Sequence, residues 1–230
     1  RALTLAVDRD AIVSRLFGIP AMQPVLGLAP PNLPGYLAPA QPDWAPQPLD
    51  ARVAEAARLL DQAGYPPGVP LTVTIALPQG REHAAVAAAV ASAWGEIGVT
   101  TKTMTRTAAA HASALAKNDF DLALVERVAA ADSPLFFLVP FRCAARRGGY
   151  CNADADRLLD AANRQTDIAL RVEAFRRAEK LMIDDVPAIP LFVPVRWALV
   201  NPGVSGWNDN ILGAHPLARL DMLPEGDGPR

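Results

Sequence analysis

Three histidines, two cysteines and a few acidic pairs are the side chains here that could do chemistry. A catalytic centre needs a nucleophile with a base, a metal, or two carboxylates set across a reacting bond. His83, His111 and His215 lie far apart in the chain. Glu82-His83 has no second histidine one helical turn on, so it lacks the spacing of a metalloprotease helix. Gly203-Val204-Ser205-Gly206 lacks the strand–turn–helix setting of a nucleophile elbow. Gly18, Gly27 and Gly35 are too dispersed to cradle a phosphate. Asp154/Asp156 and Asp184-Asp185 fall at expected helix ends, where acids commonly cap or are solvated. Cys143 and Cys151 have no histidine nearby and cannot make a zinc site alone. They suit either a short disulfide loop in an oxidising compartment or two buried thiols, and the Arg146-Arg147-Gly148-Gly149 turn between them favours the disulfide. The reading is therefore of a protein that is not an enzyme and needs neither metal nor cofactor.

The elements that would carry these residues alternate. Asp8–Phe17 reads as a helix capped by Asp8 and stopped by Gly18. The proline-rich stretch from Ile19 to Pro48 reads as a long extended crossing. Asp50 is the expected cap of a second helix, with Val53, Ala56, Ala57 and Leu60 at helical spacing and Gly64 at its end. Leu71–Leu77 reads as a strand, Glu82–Ile97 as a helix, Val99–Thr105 as a strand, Thr107–Lys117 as a helix and Phe120–Val125 as a short strand. That alternation predicts βαβ units and a parallel or mixed sheet covered by helices. Two further helices are expected, one capped by Asn152 and one over about Ile168–Ile183, then strands at Ala188–Val195 and Trp197–Val200. The tail after Leu223 reads as disordered.

Of 230 residues, 51% are hydrophobic and 20% charged, enough apolar chain for a substantial core. The net charge of -2 supplies no basic field for nucleic acid or an anionic membrane. No apolar run reaches a membrane span: Leu135–Pro140 is soon followed by Arg142, and Ala188–Val195 carries two prolines. The sequence opens on Arg1 and runs straight into ordered-looking chain, so it reads as a fragment with a signal peptide expected upstream.

Several phrases in order resemble the oligopeptide- and dipeptide-binding type (family 5) of extracellular solute-binding proteins of ABC transporters. They are Arg1 through Val13; Ala57-Arg58-Leu59-Leu60 with Ala63-Gly64-Tyr65; Asn118-Asp119-Phe120-Asp121-Leu122; Gly149-Tyr150-Cys151-Asn152 with Asp156, Leu158 and Leu159; and Ala178-Glu179 with Asp185-Val186-Pro187-Ala188-Ile189-Pro190-Leu191. The resemblance covers nearly the whole chain. It implies an α/β, periplasmic-binding-protein-like fold of type II, a two-lobe Venus flytrap closing on its ligand, of which this is the second lobe plus part of the first. Residues 1–22 would end the first lobe, 23–195 form the second, ligand-binding lobe, and 196–230 return to the first. It further implies a monomer that captures a small solute or short peptide in the periplasm or outside the cytoplasmic membrane. The ligand would pass to ABC permease subunits of the inner membrane, with no nucleic acid involved. A ligand-sensing domain of a regulator with the same fold is the alternative.

The resemblance also points to site residues. In peptide binders of the family, the strand after the Phe-Asp phrase leads to a tryptophan and, three residues on, to an aspartate that pairs with the peptide's α-amine. Counting back from Pro134, those positions hold Arg127 and Ala130, and the nearest acid is Asp132. An arginine there favours an anionic ligand group through a two-pronged hydrogen bond. Against that stands a surface arginine, solvated or paired with Glu126. His83 falls where some members place a histidine that meets a ligand carboxylate; a solvated histidine at a helix start is its other reading. Asp132 is either a cleft acid or the cap of a short helix at Pro134–Phe137.

Overall fold

The computed structural model describes residues 1–195, 198–208 and 216–222. The chain divides into two compact units, Arg1–Val193 and Pro194–Arg230. Within the first, a short helix α1 (Ala2–Leu5) and the helix α2 (Arg9–Ala11) open the chain. The Asp8 carboxylate caps α2 by accepting from Ala11 N at 2.9 Å. The expected helix then runs on to Phe17 as a wider π-type coil, closed by Gly18 N donating to the Val13 carbonyl with Gly18 left-handed at φ 61°.

The centre is a three-stranded parallel sheet in the order β3–β2–β4. β2 is Leu71–Pro78, β3 Val99–Arg106 and β4 Leu122–Ala123. The helices α4 (Arg81–Gly95) and α5 (Ala108–Lys117) are the crossovers between these strands. Ile75, Ala76 and Leu77 of β2 are buried, as a central strand covered by helices requires. α4 buries Val86, Ala87, Val90 and Trp94, which recur on one helical face. Ala56 and Leu60 of α3 (Leu49–Gln62) join that core together with Ala2, Leu5, Ala6, Val7, Ile12 and Trp44.

A second core lies under α7 (Ala153–Arg164) and α8 (Ile168–Asp185). Leu159, Ala162, Phe175, Ala178 and Met182 pack there against Leu138 of the short helix α6 (Pro134–Leu138). The proline-rich crossing ties the cores together, since Trp44 belongs to the first and Ala29, Leu33 and Tyr36 to the second. Glu179 holds it down. Its fully buried carboxylate accepts from Ala29 N (2.8 Å), Ala40 N (2.8 Å) and Tyr36 Oη (2.5 Å). Gly27 is required beside this clamp, because a Cβ there would come within 3.1 Å of Glu179 Oε1 and of the Ala40 carbonyl.

Several expectations need correction. α3 begins two residues earlier than expected, with Pro48 at its cap; Asp50 instead sits in the first turn and accepts from Ala51 N. Only Leu122–Ala123 of Phe120–Val125 and only Phe192–Val193 (β5) of Ala188–Val195 form ladders. The chain around them is extended but finds few strand partners, β5 pairing antiparallel with β1 (Gln23–Pro24). Residues 198–200 form no strand, and Trp197, His215 and the tail after Leu223 lie outside the described residues. The opening residues through Ile12 pack into the same core as the sheet, and Trp94 Nε1 donates to the Leu3 carbonyl at 2.9 Å. The second unit contains an antiparallel pair, β6 (Val204–Ser205) with β7 (Asp221–Met222).

Candidate ligand-binding site

The sheet itself creates a place for a ligand. β2 passes through α4 to β3 on one side, and β3 passes through α5 to β4 on the other. The connections leaving β2 and β3 therefore cross the sheet in opposite directions, and open α/β sheets bind ligands at the carboxyl edge beside such a reversal. Ile75 pairs with Leu122 and Ala76 with Ala123, so the segments that follow leave neighbouring strands at one edge. The first carries Gly80, the start of α4 and His83; the second carries Glu126 and Arg127.

His83 is half-buried, and its Nδ1 is shielded from water with no hydrogen-bond partner. The ring folds back over the turn before α4. A Cβ on Gly80 would lie 2.8 Å from Nδ1, and Gly80 has φ 148°, so glycine is needed there twice over. α4 has no side-chain cap at Gly80, which leaves its first N–H groups facing that edge.

Arg127 is exposed and donates from Nε (3.2 Å) and Nη2 (3.0 Å) to the Phe136 carbonyl. It thereby ties the connection after β4 to α6. Glu126 and Ala130 are exposed, and Asp132 is half-buried. Asp132 is not the cap of α6: Ser133 holds that position, its Oγ accepting from Leu135 N at 3.3 Å, because the serine lies directly before Pro134 at the helix start. The structure thus brings His83, Glu126 and Arg127 to one sheet edge and leaves Asp132 further along, at the approach to α6.

Sequence reasoning missed the residues that aim this edge. His111 of α5 is 7% exposed, and its Nε2 donates to the Leu124 carbonyl at 2.9 Å, just where the chain leaves β4. Leu124 N in turn donates to the Ala76 carbonyl, so both backbone groups of that residue are held. Asp121 accepts from Thr74 N at 3.0 Å and secures the start of β4. Asp119 meets Arg106, which also donates to the Asp119 carbonyl. Asn118 is left-handed at the end of α5; its amide donates to the Arg146 carbonyl (2.9 Å) and accepts from Gly148 N (3.1 Å). The acids and amide of Asn118-Asp119-Phe120-Asp121 are therefore positioning groups. Beyond the family phrase that contains them, their signal in the sequence was a cluster of local hydrogen-bonding residues before a short apolar strand.

The loop gripped by Asn118 is closed by a disulfide between Cys143 and Cys151, with 4.2 Å between their Cα atoms. Asn152 then caps α7 by accepting from Asp154 N and Ala155 N, and donates to Asp185, which also accepts from Tyr150 Oη. Burial, then the Asp185 carboxylate, pushes the Tyr150 hydroxyl well above its ordinary value, so it stays a donor. Among the described residues no group of three or more histidines, cysteines or acids gathers to hold a metal ion, and no helix is long and apolar enough to cross a membrane.

A parallel sheet wound through α4 and α5 has the architecture of a periplasmic-binding-protein lobe. Residues 1–149 match the family described as bacterial extracellular solute-binding proteins, family 5, middle region, and the chain belongs to that family. Among its relatives is the probable deoxycholate-binding periplasmic protein YgiS of Escherichia coli, 30% identical over 90% of this chain and 39% of that protein. The periplasmic oligopeptide-binding protein OppA of the same organism is 29% identical over 94% of this chain and 39% of its own length. The structure of Burkholderia pseudomallei OppA superposes with a TM-score of 0.86 at 28% identity, covering 97% of this chain and 45% of that one. Haemophilus influenzae OppA, solved in complex with the peptide RPPGFSPFR, gives 0.88 at 25% identity over 97% of this chain and 44% of that one. The fold is the type II periplasmic-binding-protein fold, and the chain spans about two-fifths of the length of these relatives.

Proposed function

We infer that this chain is the ligand-binding lobe of a substrate-binding subunit of an ABC importer. It captures a short peptide or another small, anionic solute outside the cytoplasmic membrane and passes it to a permease. The observation that carries this is family 5 membership; the ligand edge is proposed where β2 and β4 end side by side, near Arg127 and His83. Binding is reversible, and the work of transport falls to the partner ATPases. Residues 23–195 are proposed as the ligand-binding lobe, with 1–22 ending the first lobe and 196–230 returning to it. The periplasmic names of the relatives support the same location for this protein. A signal peptide upstream and a monomeric state belong to the same proposal. A regulator's sensing domain finds no support in these relatives.

The ligand class follows from this edge. Ala130 stands where a peptide binder would carry an acid for the α-amine, and Arg127 stands nearby. That exchange favours a ligand recognised through its anionic group. The name of the YgiS relative, which specifies an amphipathic carboxylate, lends the wider ligand class some weight. Thermal unfolding of the full-length protein against short peptides, amino acids, sugars and carboxylates tests the reading. A native-state ligand raises the melting temperature with concentration. A rise with peptides or carboxylates that Arg127→Ala reduces supports it; a rise with none of the classes would count against it.

A further inference from the structure

The loop between Cys143 and Cys151 has two footings. One is the second core: Cys143 N donates to Asp156 Oδ2 of α7 at 3.2 Å, and Cys151 directly precedes Asn152, the cap of the same helix. The other is the turn between α5 and β4. Asn118 donates from Nδ2 to the Arg146 carbonyl at 2.9 Å and accepts from Gly148 N at 3.1 Å. The disulfide therefore closes a bridge from α7 to the residue that follows α5.

This bridge does not hold its own shape. Arg146, Gly148 and Gly149 all have left-handed backbone, with φ of 49°, 58° and 75°. That region is open to glycine and disfavoured for an arginine. Such a conformation persists only where the surroundings impose it. The disulfide holds the ends of the loop and Asn118 holds its middle. Asn118 is itself left-handed at φ 54°, a conformation that asparagine tolerates.

From Asn118 the restraint passes into the sheet. Asp119 N donates to the Ala114 carbonyl at 2.9 Å, Asp121 Oδ2 accepts from Thr74 N of β2 at 3.0 Å, and Leu124 N donates to the Ala76 carbonyl at 2.8 Å. β4 has just two residues in its ladder with β2, Leu122 and Ala123, so its attachment depends on these flanking bonds. The segment that carries Glu126 and Arg127 follows directly.

We propose that the Cys143–Cys151 disulfide is a thiol-sensitive lock on β4. Closed, it lets Asn118 fix the start of the strand; opened by a dithiol, it frees that strand and the edge beyond it. Cys151 is exposed and Cys143 half-buried, so a thiolate of the dithiol attacks Cys151 Sγ. The bond between the two cysteines breaks, and Cys143 leaves as a thiolate that takes up a proton. The second thiolate of the dithiol then displaces Cys151, which is protonated in turn, and the dithiol becomes a cyclic disulfide. Two electrons and two protons thus pass from the dithiol to the protein. That the freed edge meets a ligand rests on the function proposed above; the lock itself is read without one.

Amide hydrogen exchange of the full-length protein, with and without dithiothreitol, tests the lock. Reduction is expected to speed exchange at Thr74 and Leu124 by at least about tenfold. The amides of Ala29 and Ala40, bonded to Glu179, should change less. The double variant Cys143→Ser with Cys151→Ser should reproduce the reduced pattern without a dithiol. Asn118→Ala, with the disulfide intact, should speed exchange at the same two amides. Reduction should then add little, because two changes that act through one contact are not additive. Unchanged exchange at Thr74 and Leu124 on reduction, equal acceleration at Ala29 and Ala40, or a full added effect of reduction in Asn118→Ala would each overturn the proposal.

Discussion

The two polar centres of the first unit are built on opposite plans. Around Glu179 every donor is matched and water is excluded: one carboxylate fastens a proline-rich crossing to α8 through three hydrogen bonds. At the carboxyl edge of β2 and β4 the side chains are exposed or half-buried, and the chain between Val125 and Ala131 is held by few tethers, among them Arg127 to Phe136 and His111 to Leu124. The first plan builds stability, because leaving any one of its groups unpaired is costly. The second is held by fewer such bonds and gives up stability for access. Residues of one region should therefore govern unfolding, and residues of the other should govern binding.

The largest test of that division is Glu179→Ala. It strands the Tyr36 hydroxyl and the amides of Ala29 and Ala40, so a loss of about 3–5 kcal/mol in urea unfolding is expected, at about 1–3 kcal/mol for each unpaired donor. A loss under about 1 kcal/mol, the worth of one surface bond, would mean that the crossing is held by apolar packing alone. Breaking the loop closure with Cys143→Ser should cost about 2–3 kcal/mol, from the freedom returned to the unfolded chain. The same loss should appear in wild type treated with a reductant; stability indifferent to both would show that the two sulfurs are not bonded in solution.

Arg127→Ala sharpens the other side. It should lower affinity for an anionic ligand at that edge by about tenfold, the worth of a charged hydrogen bond, while changing stability by less than about 1 kcal/mol. A variant that loses stability and keeps affinity would reassign Arg127 to the fold. The smallest effect is one of pH. Burial raises the Glu179 carboxyl above its ordinary range, against the pull of its hydrogen bonds from Ala29, Tyr36 and Ala40. The native state therefore holds that proton more tightly than the unfolded chain. Its contribution is fully present below the unfolded value of about 4.3 and is lost as pH rises through the higher native value. Unfolding free energies between about pH 4 and 7 should show this shallow fall, and Glu179→Gln should remove it. An unchanged slope in that variant would assign the fall to other groups.

Local signals in the chain were read well where they were local in cause. Asn152 before a periodic helix, Gly18 and Gly64 after one, and the threonine-apolar alternation of Leu71–Leu77 each act through neighbours within a turn or a pleat. Ala188–Val195 looked like a long strand because composition reports only that a segment suits a ladder, not whether a partner is beside it. Asp132 and Asp50 looked like caps because an acid near a helix start is the right type; one place earlier or later decides which oxygen reaches the free N–H groups.

From the sequence alone came the alternation that builds a parallel sheet, the ordered phrases of its family, the arginine standing near a missing acid, and the scarcity of reactive groups. These follow from residue types at short spacing, which local geometry and composition dictate. Only the tertiary structure decided that Glu179 is the buried anchor of the crossing, that His111 aims the end of β4, and that Arg9 and Arg52 face the ring of Trp44. Those partners lie 150, 13 and 45 or more positions apart along the chain for Glu179–Ala29, His111–Leu124 and Arg52–Val7. No local periodicity encodes such pairs; they exist because two cores and one crossing fold against each other, and burial then forces each donor to find its acceptor.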